Sequence, residues 1–134
     1  MGLTLLDSSI VIAWLYADDA HHQAGVAAIE REVEQRRGLA MSAIAWSEVL
    51  TGTGTKGPGR AAADDLVRDA RIRILPVDRD IAEAAAELRT RFGTPDALIL
   101  ATADLHDDVE HVLTADSAWR KARLAGATVE VVGR

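Results

Sequence analysis

The sequence predicts an α/β fold, in three layers, with helices on both sides of a central, mostly parallel sheet of about five strands. Three observations carry that expectation. Short apolar runs alternate with segments of helical period along the whole chain, the pattern of parallel βαβ units. Leu3-Thr4-Leu5-Leu6 has three leucines in four residues, reads as a short buried strand, and stops at Asp7. The chain has 134 residues and is 49% apolar, enough for one well-formed core. Right-handed crossovers put the ends of such strands on one edge of the sheet, and ligands of open α/β sheets bind outside those ends.

Each element follows from local pattern. After Asp7, Ile10–Leu15 is apolar throughout and predicts a buried helix capped by Ser8 or Ser9. Asp18-Asp19 mark a turn, and a second helix is expected over 20–37, with Val26, Ile29 and Val33 as its stripe and Gly38 as a left-handed cap. Leu39-Ala40-Met41 is a second strand, and Ser42 caps a third helix, Ala43–Leu50, in which Glu48 is the only charged residue. Gly52–Gly59 reads as a flexible connector. It also fits G-x-G-x-x-G, but it follows a helix rather than a strand, the wrong place for a dinucleotide fingerprint. Arg60–Ala70 is a fourth helix with Ala63, Leu66, Val67 and Ala70 inward, and Ile72–Leu75 is a third strand stopped by Pro76. Asp78 caps the next helix, whose stripe is Ile81, Ala84, Ala85, Leu88 and Phe92 and which Gly93 closes. Thr94-Pro95-Asp96 looks like a helix start, with an acid in the first turn, and Ala97–Ala103 is apolar nearly all round. A fourth strand over Val109–Leu113 leads into Thr114-Ala115-Asp116; Asp116 caps a last helix, Ser117–Ala125, ended by Gly126, before a closing strand, Thr128–Val132. With no repeat and no boundary, residues 1–134 read as one domain.

Composition narrows the classes. Cysteine is absent, so disulfides and thiolate zinc sites are excluded. No apolar run approaches the ~20 residues of a membrane span, and the start lacks the basic region of a signal peptide, so a cytoplasmic location is expected. The net charge is −6, from 21 acids against 15 bases, which weighs mildly against a nucleic-acid binder. Two bound divalent ions would bring −6 to −2.

Four acids stand out. Asp7 and Asp116 each follow a buried strand at the same sheet edge; either alone is an ordinary helix cap, but acids on neighbouring strands would face each other. Asp96 suits a helix dipole, worth about 0.3–1 kcal/mol. Glu48 shares a helix face with Ile44 and leans toward the core, where a lone carboxylate is costly; the plainer reading is a solvated stripe with Ser47. Together, unscreened carboxylates would repel, and a divalent cation removes that penalty. Oxygen ligands without cysteine or a placed histidine select Mg²⁺ or Mn²⁺, which acidify water and stabilise phosphoryl charge.

The segments Leu5-Leu6-Asp7-Ser8-Ser9, Glu48 after the second strand, Pro95-Asp96-Ala97-Leu98-Ile99-Leu100-Ala101-Thr102-Ala103 and Leu113-Thr114-Ala115-Asp116 resemble the acidic motifs of PIN-domain ribonucleases, above all the VapC toxins of bacterial toxin–antitoxin pairs. The likeness spans nearly the whole chain in the right order. It implies a PIN-like domain and a Mg²⁺-dependent endoribonuclease (Mn²⁺ as the other candidate), with Asp7 and Asp96 on the metal and Glu48 and Asp116 completing the acidic pocket. It also implies that Ser8, Ser9 and Thr114 orient water or a carboxylate, and that the protein forms a homodimer blocked by a cognate antitoxin.

Arg89, Arg91, Arg120, Lys121 and Arg123 could grip RNA phosphates around the mouth; the outer faces of helices look the same. His21-His22, and Asp104, His106, Asp107, Asp108 and His111, read as solvated polar turns. Trp14 and Trp46 read as core or dimer interface. Alternatives of other kinds are a receiver-type phosphoacceptor domain, for which only Lys56 and Lys121 could supply the lysine, an idle binding module on the same fold, and a PIN-like RNA-processing nuclease outside any toxin–antitoxin pair.

Overall fold

A computed structural model describes residues 2–133. Strand β1 (Leu3–Leu6) is the centre of a five-stranded sheet, and all four of its residues are buried. Consecutive buried residues in a strand mean that both faces are covered, which is why the run is apolar rather than alternating. Strand β1 lies between β2 (Gly38–Ser42) and β4 (Val109–Thr114), with Leu5 opposite Ala40 on one side and Val112 on the other. Strands β3 (Arg73–Leu75) and β5 (Thr128–Val131) form the edges, and every pairing is parallel. The order is β3-β2-β1-β4-β5. The chain therefore steps outward in one direction from β1 to β3 and then crosses to the other side, which makes the carboxyl ends of β1 and β4 the switch point where a crevice opens. A receiver-type fold has the order 2-1-3-4-5, so the topology rules that alternative out.

Helices α1 (Ser8–Leu15), α2 (His22–Glu34), α3 (Ala43–Thr53), α4 (Gly57–Asp69), α5 (Arg79–Leu88) and α6 (Thr94–Leu105) complete the layers. Helix α1 packs on α2 and α3, and α5 pairs with α6. Leu5, Leu6, Ile10, Met41, Ile99, Leu100 and Leu113 are completely buried between them. Trp14 and Trp46 are half-buried against this core. No helix among the described residues is long and apolar enough to cross a membrane.

Several boundaries depart from the sequence reading, each for a physical reason. Helix α1 begins at Ser8 and is capped by Asp7 instead of a serine, because the Asp7 carboxylate accepts the Ser8 N–H at 2.8 Å. The glycine-rich run is not a flexible connector. Helix α3 continues to Thr53 and α4 starts at Gly57, with Gly54 (φ +99°) making the corner. A side chain at Gly59 would meet the Thr53 carbonyl oxygen at 1.9 Å, so glycine there permits two backbones to touch. The left-handed residue after α2 is Arg36 (φ +62°), and Gly38 opens β2. Gly93 caps the start of α6 rather than ending α5. The last helix shortens to a single 3₁₀ turn, Ser117–Lys121, which Asp116 caps as expected.

The largest revision concerns α2. Its expected stripe included Val33, which is 55% exposed, whereas Glu32 beside it is 1% exposed. The helix turns this way because Glu32 finds a complete set of partners. Thr4 Oγ1 donates to it at 2.7 Å and Arg37 at 2.9 Å, and His111 Nδ1 completes the set. His111 is thus no solvated turn residue: it lies in β4, and its other ring nitrogen stands 3.3 Å from Glu130 on β5. Arg31 clamps Glu130 at 2.7 and 2.8 Å, tying the edge strand to α2. Burial alone would push the Glu32 pKa up, but the His111 and Thr4 hydrogen bonds and the neighbouring positive charge hold it below the usual value of 4.5. A carboxyl depressed in the fold contributes stability above its unfolded pKa and loses it as acid protonates the folded form. Glu32→Ala is therefore expected to cost about 3 kcal/mol near neutral pH, and Val33→Ala less than about 0.5 kcal/mol; urea unfolding of the two variants measures the contrast.

Candidate active site

Asp7 leaves β1 in extended conformation (φ −69°, ψ 154°) at the switch point, and its backbone N–H still reaches the Leu113 carbonyl of β4 at 3.0 Å. The side chain is 4% exposed. One oxygen accepts the Ser8 N–H; the other accepts Ser9 Oγ and Thr114 Oγ1, each at 2.7 Å. A hydroxyl has one proton to give, so both hydroxyls are committed to Asp7. As acceptors they also hold the turn after β4: Ser9 Oγ takes the Ala115 N–H at 3.0 Å, and Thr114 Oγ1 takes the Asp116 N–H at 3.1 Å. Asp7 is thus both a helix cap and the hub of a polar network that closes β1 onto the segment carrying Asp116.

The other acids are arranged around it. Glu48 projects from α3, half-buried, and its Oε1 accepts Ser8 Oγ at 2.9 Å. Asp96 lies half-buried in the first turn of α6, and exposed Asp116 caps the 3₁₀ turn by accepting the Ala118 N–H at 2.9 Å. Their charges act on one another. The Asp7 carboxyl is pushed up from 3.8 to about 6, first by burial, then by the charges of Glu48 and Asp96, against the Ser9 and Thr114 hydrogen bonds. Asp96 is raised as well, by burial and then by Asp116. The structure therefore brings the four sequence-predicted acids into one electrostatically coupled chain, Glu48 to Asp7 to Asp96 to Asp116.

That chain is open. Among the described residues no three His, Asp or Glu side chains stand close enough together to enclose a metal ion. The donors still suit Mg²⁺ or Mn²⁺: all are hard oxygens, and Mg²⁺ takes one or two carboxylates while keeping several waters instead of demanding a closed cage. A carboxyl raised to about 6, first by burial and then by neighbouring acids, is ionised at a cost near neutrality, and a cation lowers that cost.

Sequence reasoning missed Trp119. It is fully buried, and its indole Nε1 has no hydrogen-bond partner. It lies near enough to Asp96 to favour the charged carboxylate, although it does not reach hydrogen-bonding geometry. Its position, three residues after Asp116 in an otherwise polar turn, was the available signal.

The candidate phosphate-gripping residues have diverse settings. Arg89 donates to Thr94 at the start of α6, Lys121 lies 4.9 Å over the Phe92 ring, and Arg91 is exposed. Arg123 is committed to the carbonyls of Arg120 and Ala122 at 3.0 and 2.9 Å. Arg120 is exposed in a cavity of about 580 Å³ that also includes Asp116. A larger cavity, about 680 Å³ between β3, α5 and the end of α6, contains none of the four acids. Of the remaining histidines, His22 Nδ1 pairs with the Ala13 carbonyl at 2.7 Å, tying α2 to α1.

Residues 4–124 match the sequence profile of the PIN domain. Among solved structures, the chain superposes on a toxin–antitoxin complex from Klebsiella pneumoniae with TM-score 0.68 and 26% identity, over 93% of this chain and 95% of that one. VapBC2 from Rickettsia felis, bound to a DNA fragment from its promoter, gives 0.72 at 17% identity over 96% and 97%. VapC20 from Mycobacterium tuberculosis, a sarcin–ricin loop cleaving toxin, gives 0.62 at 20% identity over 81% and 86%. No curated protein sequence matches the chain significantly. With its five parallel strands, its acids gathered at the switch point and a family match over almost its full length, the chain belongs to the PIN-domain family.

Proposed function

We propose that this protein is a divalent-metal-dependent endoribonuclease that hydrolyses RNA and serves as the toxin of a toxin–antitoxin pair. The observation that carries the reading is the coupled chain of carboxylates around buried Asp7. Asp7 and Asp96 are the residues that would hold Mg²⁺ or Mn²⁺, and the ion, when bound, acidifies water and stabilises negative charge on the phosphoryl oxygens. The chain's own groups do the positioning. The Ser8 N–H and the hydroxyls of Ser9 and Thr114 fix the Asp7 carboxylate and take three of its roughly four lone pairs, leaving one on Oδ1 for a cation. Ser8 Oγ holds one oxygen of Glu48, leaving the other to accept a proton from the attacking water. Asp116, fixed by its own N–H and by the Ala118 N–H, completes the negative wall.

The toxin role rests on the likeness to a toxin–antitoxin complex at 26% identity over nearly the full length. A groove of about 460 Å³ between α1, α2 and β2, lined by Trp14, Ile29, Val33 and Leu39 and rimmed by Glu30 and Glu34, has the character to take an amphipathic, basic antitoxin segment. A homodimer and a cytoplasmic location belong to the same proposal. A PIN nuclease outside any such pair would share the chemistry and lack the inhibitor. An adjacent small reading frame whose product co-purifies with this chain and stops cleavage decides for the toxin, and its absence decides for the solitary nuclease.

Purified protein with Mg²⁺ is expected to cut single-stranded RNA, and Asp7→Asn and Asp96→Asn each to slow cleavage about a thousandfold, as expected for loss of several kcal/mol of transition-state stabilisation. Equal cleavage by variants and wild type would defeat the assignment. Without metal, Asp7→Asn is expected to leave melting unchanged or raise it at neutral pH, because ionising Asp7 against a pKa raised from 3.8 to about 6 costs about 3 kcal/mol.

The pH dependence has a definite sign. A carboxyl raised in the folded state contributes stability that is fully present below its unfolded pKa of 3.8 and is lost as pH rises through about 6. A cation holding the ionised form offsets that loss, so saturating Mg²⁺ should raise the melting temperature more at about pH 7.5 than at about pH 5. A thermal shift that is absent, or equal at both pH values, contradicts the metal site.

A further inference from the structure

The cavity beside Asp116 is not used by the mechanism above. It is about 580 Å³ and is built from three separate parts of the chain: His21 from the α1–α2 turn, Ala115, Asp116, Ser117 and Arg120 from the turn after β4, and Val131 at the end of β5. We propose that this groove is a subsite for the nucleotide of the RNA substrate that adjoins the scissile phosphate; the proposal rests on the endoribonuclease reading.

Size, chemistry and position support it. The volume lies within the ~300–1,000 Å³ typical of small-ligand sites, which accommodates a nucleotide. Arg120 supplies a guanidinium, His21 an imidazole and Ser117 a hydroxyl, the groups that bind phosphate oxygens, while Ala115 and Val131 give an apolar wall for a base or sugar. Arg120 makes no ion pair among the described residues, so its guanidinium is not committed to a carboxylate. Its backbone is held firmly: Trp119, next in the chain, is anchored in the core, and Arg123 donates to the Arg120 carbonyl at 3.0 Å. His21 is fixed by its backbone N–H to Asp19 at 2.8 Å. Asp116 borders both the groove and the acid chain, so a strand with its phosphate at the acids runs directly into the groove. A protein of net charge −6 also needs a local cationic foothold to retain a polyanion beside its own carboxylates.

Cleavage kinetics on a set of oligoribonucleotides, shortened one nucleotide at a time from either end of the cut, test the subsite. Arg120→Ala should raise KM about tenfold on the full oligonucleotide, change kcat little, and lower the salt slope of binding by about one. Removing the nucleotide that occupies the groove should raise KM about tenfold for the wild type and little further for Arg120→Ala, because one contact is then lost twice over. Ser117→Ala should show a smaller effect of the same pattern, which keeps the test alive if Arg120→Ala does not fold. Arg68→Ala, the same loss of charge far from the groove, should leave KM unchanged. If the wild type cuts RNA but every truncation affects Arg120→Ala and Ser117→Ala as much as the wild type, or Arg68→Ala matches Arg120→Ala, the subsite is refuted and the nuclease reading stands. If the wild type cuts no RNA, both fall.

Discussion

The structure depends on one arrangement: a carboxylate, Asp7, enclosed at the point where a parallel sheet changes direction. It receives a backbone N–H and two hydroxyls, and those hydroxyls come from α1 and from the end of β4. The same hydroxyls accept the N–H groups of Ala115 and Asp116. One side chain therefore fixes the start of α1, the seam between β1 and β4, and the turn that presents Asp116 and Arg120. An asparagine could accept both hydroxyls on its amide oxygen, but its NH2 would then face the Ser8 N–H; only a carboxylate offers an acceptor to all three donors.

Two buried carboxylates show how the same physics gives opposite results. Glu32 is 1% exposed and Asp7 4%. Burial pushes both up, but His111, Thr4 and Arg37 bring the Glu32 pKa down, whereas two hydroxyls do not outweigh burial and the charges of Glu48 and Asp96, and the Asp7 pKa rises to about 6. The first is a closed network that joins α2 to the sheet. The second is hydrogen-bonded but faces the negative charges of Glu48 and Asp96 with no cationic partner among the described residues, the kind of perturbed carboxyl that clusters at functional sites. Burial alone does not separate these cases; the identity of the neighbours does.

The same distinction explains what could be read from the chain. Strands such as Leu3–Leu6 and helices such as α6 declare themselves through local apolar pattern, and Asp7, Asp96 and Asp116 sit where strand ends and helix starts place them. The Glu32 network was illegible because its members are far apart in sequence: Thr4 is 28 residues from Glu32, His111 is 79 away, and Arg31 and Glu130 are separated by 99. Without those partners, Glu32 looked like the solvent side of α2 and Val33 like its core side. The glycine run misled for a related reason, since composition suggests flexibility while Gly59 is there to let α4 approach the Thr53 carbonyl. For Trp119 the local pattern offers only its place three residues after Asp116; that the indole is buried near Asp96 depends on packing with α6, distant in sequence.

Both Asp7 and Asp96 lie at helix N-termini, Asp7 as the cap of α1 and Asp96 in the first turn of α6. Each dipole favours a negative charge by about 0.3–1 kcal/mol, so the fold itself lowers the cost of gathering acids. It does not remove it: burial and the charges of Glu48 and Asp96 raise Asp7 from 3.8 to about 6, equivalent to about 3 kcal/mol, even against the Ser9 and Thr114 hydrogen bonds. Further donors from the protein would close the site and bring Asp7 to the state of Glu32. Leaving the balance unmet keeps the acids available, at a cost in stability that an incoming cation can offset. In the proposed function, that unmet balance is what distinguishes the acid chain from the closed Glu32 network.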